Sequence, residues 1–180
     1  LVIFAPLNEV ELRNIMYTAQ LGIDFPLVIR YPKGRGTLID WKQSFEEIKI
    51  GKGELISEGN EIAILSIGTI GNTIIELQKE LPLNKITHYN MRFVKPLDEE
   101  LLHTILKKFN TIITIEDGTI IGGFGSAILE FSSNNNYKNN FIKQLGIPDN
   151  FIEHGKVNEL FNNIHLSKEY IKKFILQLLP

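Results

Sequence analysis

Ile62-Ala63-Ile64-Leu65-Ser66-Ile67-Gly68-Thr69-Ile70-Gly71 is the stretch that decides the fold class. An apolar run of this length, bounded by glycine, reads as a strand covered on both faces. The glycines turn it into a helix of about ten residues ending near Leu81 and Pro82. Outward from it the same alternation repeats. Ile86 to Asn90 is a second strand, and Pro96 stands where a helix favours it, at a first turn. Asp98, Glu99 and Glu100 follow near the positive end of that helix, with Lys107 and Lys108 at its negative end. Thr111 to Ile115 is a strand of β-branched residues. The glycine-rich turn Gly118 to Gly125 opens a helix from Ser126 to about Ser132. Phe141 to Leu145 is a last short strand. With an entering strand over Ile48 to Leu55, the pattern predicts an α/β domain with a mostly parallel five-stranded sheet flanked by helices.

The flanks carry less regular signals. Leu1 to Ala5 reads as a short buried strand, Asn8 as an N-cap, and Glu11 as its capping-box partner. The following helix places Leu12, Ile15, Met16 and Ala19 on one face and stops at Gly22. Pro26 to Arg30 is a strand whose Leu27, Val28 and Ile29 suit cover on both faces. Tyr31 to Asp40 reads as an exposed loop with Pro32, Lys33, Gly34, Arg35 and Gly36. A linker follows, with a domain boundary near residue 45. Residues 1–45 then form a strand–helix–strand remnant of a different sheet, and the chain is expected to begin inside a larger fold. At the far end, Ser133 to Asn140 is an Asn-rich surface loop. The tail from Lys156 to Leu179 is helical in two pieces, with Ser167 capping the second.

Composition removes several classes of function. The 180 residues are 43% hydrophobic and 22% charged, a globular balance. A net charge of −2 gives no electrostatic footprint for nucleic acid. The absence of cysteine excludes disulfides and thiolate metal sites, and is consistent with a cytoplasmic address. No apolar run reaches the roughly 18 residues needed to span a bilayer, so no membrane partner is expected.

Few residues suggest chemistry. Arg30 ends an apolar strand and Lys33 lies in the loop after it, where open α/β sheets hold ligands, so the two cations suit a phosphate clamp, while a solvated basic loop is the simpler reading of the residues by themselves. Arg35 reads as solvated surface. Arg92 and Lys95 follow a strand end, and pairing with Asp98 or Glu99 explains them better than an anion does. Glu116 and Asp117 are sequence neighbours and face opposite ways on a strand, which disfavours an acid/base pair. The glycines at 118, 122, 123 and 125 depart from G-x-G-x-x-G, so close helix–sheet packing explains them better than a nucleotide does. His88, His103, His154 and His165 lack the i, i+4 spacing of a helical metal site. His103 reads as a satisfied, half-buried imidazole and His154 as part of a surface turn.

Four ordered segments carry a resemblance. They are Arg30-Tyr31-Pro32-Lys33-Gly34, Met91-Arg92-Phe93-Val94-Lys95-Pro96-Leu97-Asp98, Gly122-Gly123-Phe124-Gly125-Ser126-Ala127, and Gly146-Ile147-Pro148-Asp149-Asn150-Phe151-Ile152-Glu153-His154-Gly155. Together they resemble the C-terminal third of the 1-deoxy-D-xylulose-5-phosphate synthases. Lys33 stands where that family commonly has Arg, and Asn90 where it commonly has Asp. The resemblance implies that residues 1–45 end a thiamine pyrimidine-binding domain and that 46–180 form a transketolase C-terminal domain. It implies a parent homodimer that uses thiamine diphosphate and Mg²⁺. That parent condenses pyruvate with glyceraldehyde 3-phosphate, losing CO₂, in the cytoplasm or a plastid-type organelle. Arg30 and Lys33 would bind the acceptor phosphate. The chain has no Gly-Asp-Gly and no stretch matching the earlier pyrimidine domain, so no catalytic, cofactor-binding or metal-binding residue is expected within it. It is expected to be inactive alone. The corresponding ends of a transketolase or a 2-oxoacid dehydrogenase β subunit, or a non-catalytic interaction module, are the competing readings.

Overall fold

A computed structural model describes residues 1–34, 36 and 40–179. The chain opens with β1 (Val2–Phe4), α1 (Glu9–Leu21) and β2 (Leu27–Ile29). Then come β3 (Glu54–Ser57), β4 (Ile62–Ile67), α2 (Gly71–Gln78), a 3-10 turn (Leu83–Lys85), β5 (Ile86–Asn90) and β6 (Phe93–Lys95). The remainder is α3 (Glu99–Lys108), β7 (Thr111–Thr119), α4 (Phe124–Asn134), β8 (Phe141–Ile147), α5 (Val157–Asn163) and α6 (Lys168–Leu178).

The main sheet has five strands in the order β3-β5-β4-β7-β8, all parallel except β3, which runs antiparallel to β5. Every residue of β4 is buried, as its unbroken apolar run requires of a central strand. Its side chains alternate between two cores. Ala63, Leu65 and Ile67 pack with Leu102 and Ile105 of α3 and with Phe124 and Ile128 of α4. Ile62 and Ile64 pack on the other face with Ile74 and Leu77 of α2 and Ile171 and Ile175 of α6.

A second sheet of three strands, β2-β1-β6, stands beside it. β1 pairs in parallel with β2 and antiparallel with β6, so the strand–helix–strand unit takes its third strand from residues 93–95. Val2, Phe4, Ile15, Ile48 and Phe93 form its core, with the Phe4 and Phe93 rings edge to face at 4.9 Å. Ala5, at the end of β1, is buried in the core of the main sheet, which joins the two layers.

Several local expectations change. β2 is the edge of a small sheet, and Val28 is 45% exposed rather than covered on both faces. α1 buries Glu11, Asn14, Ile15 and Thr18, while Met16 is 52% exposed. Only Ile15 belongs to the apolar face that the spacing proposes. The polar side chains go inside because each is satisfied. Asn14 Oδ1 accepts the Glu46 N–H at 3.2 Å, and Thr18 Oγ1 accepts the Ile48 N–H at 2.8 Å while donating to the Asn14 carbonyl. Residues 41–48 are thus strapped to α1. Arg13 reinforces the strap, donating to the Trp41 and Gln43 carbonyls and lying over the Phe45 ring at 4.4 Å.

Pro96 lies ahead of α3 rather than in its first turn. Asp98 is the N-cap, accepting the Leu101 N–H at 3.2 Å. The entering strand is later than the spacing suggests, Glu54–Ser57 instead of Ile48 to Leu55, because Ile48 is drawn into the small core. β7 runs on to Thr119 and α4 starts at Phe124, two residues before Ser126. Ser167 does hold the N-cap position of α6, without a side-chain hydrogen bond.

Candidate functional site

In an open α/β sheet a ligand crevice forms beyond the carboxyl ends of the strands, where successive crossovers leave in opposite directions. Here that point lies between β4 and β7, since β5 sits on one side of β4 and β7 on the other. The register pairs Ile67 with Glu116, so Gly68 and Asp117 emerge side by side.

Arg30 reaches into this crevice from the end of β2, its own N–H held by the Phe4 carbonyl at 2.8 Å. Its Nη1 stands 2.6 Å from Asp117 Oδ1 and 3.5 Å from the Asp117 carbonyl. The ion pair is offset, because the buried Oδ1 receives no directed hydrogen bond. Thr69 Oγ1 donates to the other oxygen, Oδ2, at 3.4 Å. Gly68 has φ +76, and a Cβ there would lie 3.1 Å from Arg30 Nη2 and 3.2 Å from Asp117 Oδ1. The glycine therefore serves the backbone and makes room for the guanidinium. The Arg30 side chain is 40% exposed and that of Asp117 15%, so the pair is partly open to solvent.

Lys33 is exposed in the following loop and makes no hydrogen bond or ion pair among the described residues. Arg35 lies outside the described residues. Asp117, Thr69 and Gly68 are the parts of this arrangement that a reading of the sequence misses. Their signal is the aligned register of two strand ends, which local pattern does not carry.

The glycine-rich turn before α4 holds an anion that belongs to the chain. Glu116 Oε2 accepts the Phe124 N–H at 3.0 Å and Oε1 accepts the Gly125 N–H at 2.9 Å. Burial raises the Glu116 pKa, against the lowering effect of these two donors. A Cβ at Gly118 or Gly123 would collide with this carboxylate. The helix N-terminus that could have taken a phosphate is filled by Glu116, and the glycines exist to let it in.

A second buried carboxylate joins the layers. Glu11 accepts from the Leu7 N–H at 2.6 Å, Asn90 Nδ2 at 2.8 Å and Arg92 Nε at 2.7 Å. Arg92 also pairs with Glu54, and it adopts a left-handed backbone at φ 60. Its role is structural, with Glu11 and Glu54 in place of Asp98 or Glu99 as partners. Asp98 instead pairs with Lys52 at 3.2 Å and accepts the Gly53 N–H. His103 is half-buried and bonded to the Tyr137 hydroxyl at 2.8 Å. His88 is fully buried, with Nε2 2.7 Å from Ser66 Oγ, and desolvation lowers its pKa to about 4. Among the described residues no group of three or more His, Asp or Glu could hold a metal ion. Glu116 likewise occupies the N-terminus of α4.

Comparison with known proteins gives a consistent answer. Residues 51–171 match the family described as transketolase, C-terminal domain. The 1-deoxy-D-xylulose-5-phosphate synthase of Cytophaga hutchinsonii is 52% identical over 178 residues, covering 97% of this chain and 28% of the relative. That of Parabacteroides distasonis is 51% identical over 176 residues, covering 96% and 28%. The chain thus spans just over a quarter of the length of the curated relatives it matches. A solved structure described as a split gene transketolase, inactive beta4 tetramer, superposes with a TM-score of 0.79 at 24% identity, over 99% of this chain and 57% of the other, a likeness of fold. The two relatives named above are 1-deoxy-D-xylulose-5-phosphate synthases similar to it over nearly its whole length, and the chain belongs to the transketolase C-terminal domain family.

Proposed function

We propose that this chain is the C-terminal section of a 1-deoxy-D-xylulose-5-phosphate synthase and supplies cations for the phosphate of the acceptor substrate. The parent activity joins pyruvate to glyceraldehyde 3-phosphate with loss of CO₂, in a homodimeric cytoplasmic enzyme. Thiamine diphosphate with Mg²⁺ supplies the electron sink for decarboxylation there. Residues outside this chain hold that group. Residues 1–45 are read as the end of the pyrimidine-binding domain and 46–180 as the C-terminal domain.

The observation that carries the reading is the placement of Arg30. Its guanidinium sits at the carboxyl ends of β4 and β7, contacts Asp117 through Nη1, and belongs to a side chain that is 40% exposed. A guanidinium offers five donors, so the pair with Asp117 leaves donors for a phosphate. Lys33, exposed and three residues on, adds a point charge that reaches the same solvent.

The test is a transplant. This chain replaces the matching section of the Cytophaga hutchinsonii synthase, and product formation is followed at varied acceptor concentration. The active chimera is expected to lose acceptor affinity on Arg30→Ala, with KM for glyceraldehyde 3-phosphate rising about 100-fold and KM for pyruvate unchanged. Lys33→Ala should raise the same KM by less, about fivefold. An Arg30→Ala chimera with unaltered acceptor KM would remove Arg30 from the phosphate site. The isolated chain should show no Mg²⁺-dependent heat on calorimetric titration with thiamine diphosphate.

A further inference from the structure

Asp117 belongs to β7 of the main sheet, across the layer boundary from Arg30. We infer that Asp117 is a positioning residue for Arg30, so that the transketolase C-terminal domain shapes a phosphate site without touching the phosphate. The inference rests on the reading of Arg30 as a phosphate ligand.

The berth is built from both sides. Arg30 arrives from the small sheet, whereas Gly68, Thr69 and Asp117 come from the ends of β4 and β7 in the main sheet. Gly68 has no side chain where one would strike Arg30 Nη2, and Ala5 lines the same point from β1. Thr69 fixes the carboxylate by donating to Oδ2, which leaves Oδ1 for the guanidinium. Asp117 and Arg30 are 87 residues apart in sequence, and their contact crosses from one sheet to the other.

Two effects of the carboxylate oppose each other at a bound phosphate. Its charge repels the ligand, and its contact holds the arginine. The repulsion is weakened by solvent, because Arg30 is 40% exposed and Asp117 itself is neutralised by the pair. Holding the side chain removes a long chain's rotamer freedom before the ligand arrives, which is the gain that preorganisation supplies. The offset geometry also favours holding over competition. A competing carboxylate would take the guanidinium fork in parallel, two oxygens to two nitrogens. Here the contact runs from Nη1 to Oδ1, and the second oxygen accepts from Thr69.

The experiment uses this chain with its arginines labelled with ¹⁵N. There are four, Arg13, Arg30, Arg35 and Arg92, and Arg30→Lys assigns the Arg30 Nε–H signal by its loss. Inorganic phosphate is the probe. In the unaltered chain it should shift that signal saturably. Asp117→Asn should weaken phosphate binding about tenfold, and Asp117→Glu should restore it to within about threefold. The Arg13 and Arg92 signals should stay in place in both. If Asp117→Asn fails to fold, Thr69→Val replaces it, with an expected weakening of about threefold through the loosened carboxylate. Phosphate binding as tight as or tighter than wild type in the Asn or Val variant overturns the proposal and leaves Arg30 as ligand. No saturable shift of Arg30 in the unaltered chain removes the phosphate reading, and this proposal with it.

Discussion

Glu116 and Gly125 are nine residues apart, and the carboxylate of the first accepts the backbone N–H of the second at 2.9 Å from inside the sheet–helix junction. With Phe124 on the other oxygen, the side chain caps α4 from the end of β7. Glu116→Ala leaves two buried donors without an acceptor, at about 1–3 kcal/mol each. Glu116→Gln keeps one acceptor oxygen and should cost about half as much. Urea unfolding followed by circular dichroism measures both, and equal stability of the two variants would contradict the cap.

Glu11 and Arg92 tie α1 to the segment between β5 and β6 through a mostly buried ion pair at 2.7 Å. Removing one partner leaves an uncompensated charge, and Glu11→Ala or Arg92→Ala should each destabilise by about 3–5 kcal/mol. The double variant should cost much less than the sum. A double-mutant cycle that adds without coupling would show the pair to be decorative.

His88 gives a pH dependence of defined sign. Burial keeps it neutral to about pH 4 in the folded chain, whereas the unfolded chain takes up its proton near 6.5. Between these values the unfolded state binds more protons, so stability falls as pH drops. The His88 contribution is intact above about pH 6.5 and declines by about 3 kcal/mol on reaching pH 4. Glu116, with its pKa raised, acts in the opposite sense above the ordinary carboxylate range. The difference in ΔG between wild type and His88→Asn, measured from pH 7 to 4, isolates the histidine. A difference that does not change with pH would mean that His88 titrates normally.

Gly68→Ala tests the crevice without touching a charge. The substitution forces alanine to φ +76 and brings a methyl group within 3.1 Å of Arg30 Nη2. The backbone conformation alone costs about 1–2 kcal/mol. Displacement of Arg30 should move its Nε–H signal, and an unmoved signal would mean that the guanidinium does not rest on Gly68.

The sequence made the main sheet legible because β4, β5 and β7 are buried by strong local patterns. Ile62 to Ile67 could hardly be anything but a central strand. β6 was hidden, since three residues between a strand and a proline become a strand only by pairing with β1, some ninety positions away. The buried face of α1 is hidden in the sequence for a related reason. Asn14 and Thr18 look like solvent residues until Glu46 and Ile48 supply their partners. At the candidate site, strand-end logic and family resemblance singled out Arg30. The acid beside it needs the register of β4 against β7, which only the folded chain reveals.

β6 has a practical consequence for dissecting the protein. Phe93 fills the core beneath Phe4, and the Arg92 carbonyl accepts the Ala5 N–H at 2.9 Å. Severing the chain near residue 45 would strip the first piece of its third strand and leave an aromatic ring of the second in water. The two layers are stitched together rather than strung in series.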